Sequence, residues 1–523
     1  MKNNAILARW AGTLARRGSE AAVRGRDGGV ERTFADIETE AAEWARRLER
    51  WQPGTVVGIQ VGNSPAWPAL VLAAMRLDLI PLPLGLHMAR EEREAALETC
   101  GTGGLLTDED GRLVLQDRDE QGMLSRERQS PDWHPPEQPI GRLAFPGGKP
   151  PGCPPSPLQC DFLKLTSGTT SRPRAIRFTA GQLAADCDNI CETMGIEEAD
   201  LNFGVIPFSH SYGFSNLITP LLCRGVPLVA SEDRMPRAIL EDLARTGATV
   251  FPGMPVFFEK LAEMDGAPAL PALRLCISAG APLAARVGEA FSARFLRKVH
   301  PFYGSSECGG IAYDESEETI YEEGFVGKPM RNVKITPLEG GQIAVQSAAV
   351  GEGYHPEPDP EALGCAQFIP ADLVRIAERG MYLVGRATDV INIAGRKLNP
   401  AEVEARLALC PGVRQVVVFG VASALRNEEA VACVSGSADI ETVLRYARTV
   451  LSEWQVPKDV WLVDEVPVND RGKVSRRDLA RGYAMQRHSA AEPQPNRLNR
   501  RGGGRETGRL EGGRAKELKE RKD

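Results

Sequence analysis

No apolar run in this sequence approaches the roughly 18 residues that suggest a membrane-spanning helix. Nor does one sign of charge dominate. Lys and Arg number 63 against 70 Asp and Glu, a net charge of −7. A mildly acidic chain lacks the broad basic field that nucleic-acid binding needs. The 11 cysteines are odd in number and scattered. Cys187 and Cys191 could share a helix face, but no His or second Cys pair completes a metal set. All the cysteines read as reduced residues of a cytoplasmic protein. The first residues lack the continuous apolar core of a signal peptide. Ile6, Leu7, Trp10 and Leu14 recur instead at helical spacing among Arg9, Arg16 and Arg17, which predicts an amphipathic first helix.

What is present is an ordinary globular composition, 42% hydrophobic and 25% charged over 523 residues. That length is ample for a large core and for three or four structural units at about 150 residues each. Strand-like runs at Thr55–Val61, Ile80–Leu84, Leu201–Ile206, Val226–Ala230, Thr249–Phe251 and Leu273–Ser278 alternate with helical stretches. The helical stretches lie at Ala66–Leu77, Ser215–Cys223, Arg237–Arg245 and Val256–Glu263. Such alternation predicts an α/β fold of stacked, mostly parallel sheets covered by helices. Two arrays are expected, before and after Asp117–Pro157, a polar stretch dense in Pro and Gly that reads as a linker.

Near Gly385 the texture changes to a compact α+β unit, with strands at Val416–Gly420 and Ala430–Val434 and a helix at Ile440–Leu451. The expected organisation is a large domain over 1–385, a small mobile domain over 386–482 and a disordered tail over 483–523. From about Gln486 onward the tail is too poor in large apolar residues to offset its ordering entropy.

The chemistry-bearing residues fall into seven short motifs. Thr166-Ser167-Gly168-Thr169-Thr170-Ser171-Arg172-Pro173-Arg174 follows the apolar Phe162–Leu165. Its hydroxyls and backbone amides could close around phosphate oxygens, with Arg174 as a fixed cation. Then come Pro207-Phe208-Ser209-His210-Ser211-Tyr212-Gly213, Ser278-Ala279-Gly280-Ala281-Pro282, Tyr303-Gly304-Ser305-Ser306-Glu307, Ala371-Asp372, Gly385-Arg386 and Gly472-Lys473-Val474. Taken singly, Glu307 or Lys473 would be read as a surface residue.

In this order and spacing the motifs resemble the adenylate-forming superfamily: acyl- and aryl-CoA ligases, luciferase and the adenylation domains of peptide synthetases. The resemblance runs from about residue 5 to about 482. It implies an ATP-dependent ligase that makes an acyl-adenylate and passes the acyl group to a thiol, with ATP, Mg²⁺ and CoA as cofactors. Thr166, Ser167, Gly168, Thr169, Thr170 and Arg174 would hold the pyrophosphate. Gly280, Ala281 and Tyr303 would sandwich the adenine, and Ser306 would bond the α-phosphate. Glu307 would hold Mg²⁺, Asp372 would accept both ribose hydroxyls, and Arg386 would bind the ribose or phosphate. Lys473 would be the catalytic lysine, and His210 would line the acyl pocket and thiol tunnel. Phe214, Phe251, Met254 and Ile311 are candidate pocket residues. The small domain would turn about Thr388, exchanging Lys473 for the Ile393–Lys397 loop.

The chain departs from the family pattern at Ser171, Arg174 and Ala175 in the phosphate loop, at Pro370-Ala371 before the aspartate and at Thr388. Phe208–Gly213 holds no acid to bind an amino group, so a fatty or aryl acid suits it better than a free amino acid. Two alternatives stay open: an acyl carrier protein's pantetheine as the acceptor, and a non-catalytic nucleotide- or acyl-binding relative.

Overall fold

The computed structural model describes residues 4–109, 111–118, 124–126, 158–166, 173–393, 396–423, 427–468 and 474–491. Within them the largest sheet has eleven strands. Ala21–Arg24, Leu228–Ala230, Asn202–Gly204, Val250–Gly253, Leu275–Ser278 and Val299–Ser305 run parallel through its centre. From Gly309–Tyr313 onward the ladder turns antiparallel and ends with Met381–Arg386 beside Asp372–Ile376. A second sheet of five strands is built on Val56–Gln60, parallel to Ile80–Pro83 and to Thr102–Glu109.

The expected runs became these strands because their residues are buried on both faces. Val56–Gln60 and Leu275–Ser278 are buried throughout, as parallel strands covered by helices should be. Helices Phe34–Leu48 and Ala180–Met194 each start on a reciprocal capping box, Thr33 with Asp36 and Thr179 with Gln182, which satisfies the first orphan amides. One continuous apolar core unites Val57 and Ile59 of the smaller sheet, Phe203 and Phe251 of the larger, and Trp44 and Trp67 of the helices. The amphipathic first helix forms over Ala5–Arg17 and buries Ile6 and Trp10.

Three expectations are corrected. The sheets are not divided by the linker, because Ala21–Arg24, far ahead of it, pairs with Leu228–Ala230. The linker itself is not all loop. Arg112–Arg118 and Leu124–Arg126 are strands of the five-stranded sheet; residues 127–157 lie outside the described residues. The tail does not begin at 483. Helix Arg476–Ala491 runs through it and buries Leu479 and Tyr483 against Phe419 and Val431.

The C-terminal unit has a core of its own, with Ile391, Leu398, Val403, Val418, Val434 and Val443. Its long hairpin Val413–Ser423 and Asn427–Gly436 is antiparallel, and Asp459–Val463 adds a parallel strand. No helix among the described residues is long and apolar enough to cross a membrane.

Candidate active site

Of the expected residues, Gly280, Ala281 and Tyr303 stand at or just after the carboxyl ends of central parallel strands, where ligands of open α/β sheets bind. Ser278 pairs in register with Pro301, so the Gly280-Ala281 turn and Tyr303 follow from neighbouring parallel strands. Gly280 has φ +88, a conformation glycine adopts without strain. The buried Tyr303 hydroxyl donates to Asp372 Oδ2 at 2.8 Å, and Arg386 Nε donates to Asp372 Oδ1 at 2.9 Å. Asp372 and Arg386 are register partners on one antiparallel ladder. Burial, reinforced by Asp372, pushes the Tyr303 phenol well above its ordinary pKa. Burial opposes the Arg386 charge too, but Asp372 outweighs it and holds the guanidinium pKa above normal.

Three residues beyond Tyr303, Ser306 accepts a hydrogen bond from Ser211 Oγ at 2.9 Å. Glu307 Oε1 accepts from the Tyr354 hydroxyl at 3.1 Å. The Arg174 guanidinium lies 4.0 Å over the Tyr354 ring, and its Nη2 donates to Glu357 O. Thr166 N and Oγ1 both donate to Arg174 O. Arg174, Tyr354 and Glu307 thus form one chain of contacts. Ala175 sits not in the bend but inside strand Ala175–Phe178, paired with Leu165 and fully buried. Ser167, Gly168, Thr169, Thr170, Ser171 and Lys473 lie outside the described residues.

His210 caps the helical segment that begins at Ser211, and its Nδ1 accepts from Tyr212 N at 3.3 Å. The segment contains a π-helical stretch, Phe214–Ile218, a feature frequent at functional sites. It starts four residues before the expected Ser215. Gly213 lies so close to Pro207 that an added Cβ would fall 2.1 Å from its carbonyl oxygen. The Tyr212 hydroxyl donates to Ile277 O at 3.2 Å, tying the segment to a central strand.

His210, Ser211, Tyr212, Met254, Gly280 and Ser306 line one cavity of about 290 Å³. Of the four expected pocket residues only Met254 lines it. Phe214, Phe251 and Ile311 are fully buried and belong to the continuous apolar core.

Several participants carried no motif. Buried Asn63, between the smaller sheet's strands, donates from Nδ2 to Gly204 O, Ile206 O and Ser231 O. It accepts at Oδ1 from Phe208 N at 2.9 Å. It therefore holds the His210 turn from across the sheets. Tyr354 lies on a strand paired with Ala175–Phe178. Lys164 lines the cavity while only 4% exposed. A lysine inside an apolar run was the one local sign, and it is legible as unusual only once the run is known to be buried.

The AMP-binding enzyme family matches residues 9–355. The chain belongs to the AMP-binding enzyme family. The AMP-binding enzyme C-terminal domain matches residues 402–473. Among similar proteins, the feruloyl-CoA synthase of Amycolatopsis sp is 26% identical over 480 residues, covering 88% of this chain and 95% of its own. The 2-succinylbenzoate–CoA ligase of Geobacillus kaustophilus is 26% identical over 485 residues, 87% of this chain and 94% of its own. The ATP-bound structure of MatB from Rhodopseudomonas palustris superposes with TM-score 0.77 at 24% identity, over 92% of this chain and 99% of MatB. At that identity the likeness speaks to the fold. As an AMP-binding enzyme the chain has the α/β architecture and the ligase class that its motifs led one to expect.

Proposed function

We propose that the protein joins a fatty or aryl carboxylic acid to CoA through an acyl-adenylate. In the first step a carboxylate oxygen attacks the α-phosphorus of ATP, and the bond to the pyrophosphate oxygen breaks. In the second the CoA sulfur attacks the acyl carbon, its proton is lost, and AMP leaves with the bridging oxygen. One observation carries this reading: Ser306 joins a polar set suited to a nucleotide to a cavity suited to an acid. Ser306 bonds Ser211 and lines the cavity with it and His210, and it follows by three residues Tyr303, which is bonded to Asp372 as Asp372 is to Arg386. The named relatives differ in their acids and share thioester formation with CoA, which supports the reaction class.

The roles follow from charge. Attack of a carboxylate on a phosphate brings anions together, so cations and hydrogen-bond donors must meet the charge that develops. Arg174 and the Ser306 hydroxyl would do so directly, and Asp372 would accept from the ribose hydroxyls on the lone pairs that Tyr303 and Arg386 leave open. Among the described residues no group of three or more His, Cys, Asp or Glu could hold a metal ion alone. Glu307 as a lone carboxylate fits Mg²⁺, which is commonly held by one or two carboxylates together with waters and substrate phosphates. When bound there, Mg²⁺ would offset phosphate charge. Lys473, on the resemblance, supplies the movable cation of the first step.

An acid panel in ATP–pyrophosphate exchange, followed by CoA-dependent thioester formation, tests the reading. Exchange with no acid would overturn it. Acyl-AMP consumed only by a pantetheine-bearing carrier protein would replace CoA as the acceptor.

A further inference from the structure

Tyr354 touches two opposite charges that the ligase reading puts to work on the nucleotide. Its hydroxyl donates to Glu307 Oε1 at 3.1 Å. The Arg174 guanidinium lies 4.0 Å over its ring. The main chain fixes both contacts. Strand Gly353–His355 pairs antiparallel with Ala175–Phe178, and His355 stands opposite Ala175, the residue after Arg174. Gly351 N, three residues ahead of Tyr354, donates to Glu307 O at 2.9 Å. Tyr354 is thus carried on a segment bonded both to the strand that follows the phosphate loop and to the backbone of Glu307.

A buried phenol needs an acceptor, and a backbone carbonyl would serve. Here the acceptor is the carboxylate read to hold Mg²⁺, and the ring face takes the arginine read to meet phosphate. Arginine and carboxylate pair strongly when they meet. If Arg174 and Glu307 closed on each other, neither charge would be left for the nucleotide or its cation. Instead the guanidinium takes the face of the ring and the carboxylate takes its hydroxyl. Tyr354 engages one oxygen of Glu307, and among the described residues nothing donates to the other, Oε2.

We propose that Tyr354 is a positioning residue for the nucleotide and its cation. Its ring keeps Arg174 from pairing with Glu307, and its hydroxyl holds the Glu307 carboxylate by Oε1, leaving Oε2 for the metal ion. The inference rests on the roles that the ligase reading gives to Arg174 and Glu307, and adds a residue that acts through both.

Tyr354→Phe keeps the ring under Arg174 and deletes the hydroxyl; Tyr354→Leu deletes both. Mn²⁺ binding to the full chain saturated with α,β-methylene-ATP, followed by electron paramagnetic resonance, reads the site without turnover. Tyr354→Phe should weaken Mn²⁺ binding about tenfold, the low end for losing a partner behind a metal ligand. Its Tm and its affinity for the metal-free analogue should be unchanged. In a Glu307→Gln background the same substitution should alter Mn²⁺ affinity by less than about twofold, since the carboxylate it holds is gone. Tyr354→Leu should also weaken the metal-free analogue, because Arg174 can then close on Glu307, and adding Glu307→Gln should restore that part. Unchanged Mn²⁺ affinity in Tyr354→Phe overturns the inference. So does a loss that persists in full in the Glu307→Gln background, which would mark the phenol as merely structural. A Glu307→Gln protein that binds Mn²⁺ like the parent removes the role of Glu307 and this inference with it. Failed pyrophosphate exchange with every acid, while Tyr354→Phe still weakens Mn²⁺ binding, removes the ligase reading and leaves Tyr354 serving a bound nucleotide.

Discussion

At the scale of single residues, the carboxylate of Glu307 and the ammonium of Lys473 are asked to do different things. If Glu307 holds the cation, Glu307→Gln should lower adenylation tenfold or more and shift its dependence to higher magnesium. A magnesium titration of pyrophosphate exchange checks this, and an unchanged curve removes the role. Lys473→Ala should lower acyl-AMP formation on the order of a hundredfold, as for a lost electrostatic contact of about 3 kcal/mol. Supplied with synthetic acyl-AMP and CoA, the same variant should form thioester at close to the parent rate. Equal loss of both steps would end the idea that the lysine serves only the first. Arg476, nearby in sequence, is no substitute. Its guanidinium is committed to Asp389 at 2.7 Å, to Glu404 at 2.8 Å and to Val418 O at 3.0 Å. Arg476→Ala should therefore cost stability and depress both steps together.

Among the elements, the His210 turn and the first helix are the informative ones. Gly213→Ala drives a methyl into Pro207 O. It should destabilise by about 1–3 kcal/mol and lower activity beyond that, since the turn carries both His210 and Ser211. Asp188 fastens helix Ala5–Arg17 to its neighbours, bonding Arg9 Nη1 and Nη2 and Arg224 Nη2, each at 2.6 Å. Burial would raise its pKa, but the two arginines outweigh that and hold it below the usual carboxylate value. A carboxyl whose folded pKa is depressed stabilises above its unfolded pKa, and that contribution fades as pH falls through the folded value. Asp188→Asn should thus cost about 1 kcal/mol near neutrality, allowing for screening, and nothing further below the acid transition. Melting at several pH values reads the difference directly.

The elements also show what a sequence can carry. Central strands were legible because burial on both faces writes a continuous apolar run, as at Leu275–Ser278. Ala21–Arg24 was not, because nothing local says that it pairs with a strand two hundred residues away. Helix Arg476–Ala491 hid behind its charges, although Leu479 and Tyr483 anchor it. The motif residues of the site were visible as motifs, and their partners were not. Asn63, Tyr354 and Lys164 matter through contacts that only the folded chain makes. Phe214, Phe251 and Ile311 fail as pocket residues for the same reason: apolar character alone does not tell a cavity wall from a core.

Across the whole molecule, the corrected C-terminal boundary changes where the chain can be cut. Removal after Ala491 should leave adenylation and Tm nearly unchanged, given the composition beyond it. Removal from Arg476 onward takes away Leu479, Tyr483 and the Asp389 and Glu404 ion pairs. It should unfold the small unit and abolish activity. A drop in Tm with the shorter truncation would show that the residues after 491 pack on the body.

The amide of Asn63 has a consequence for the tempo of the protein's motions. With four hydrogen bonds spread over Gly204, Ile206, Ser231 and Phe208, one side chain just after a strand of the smaller sheet acts as a rivet at the carboxyl ends of two interior strands of the larger. Breathing that would part the two sheets at this seam must break all four bonds at once. Hydrogen exchange at the Phe208 amide should then follow the rarest openings of the large domain and not the frequent ones, leaving the floor of the cavity still while its mouth remains free to move.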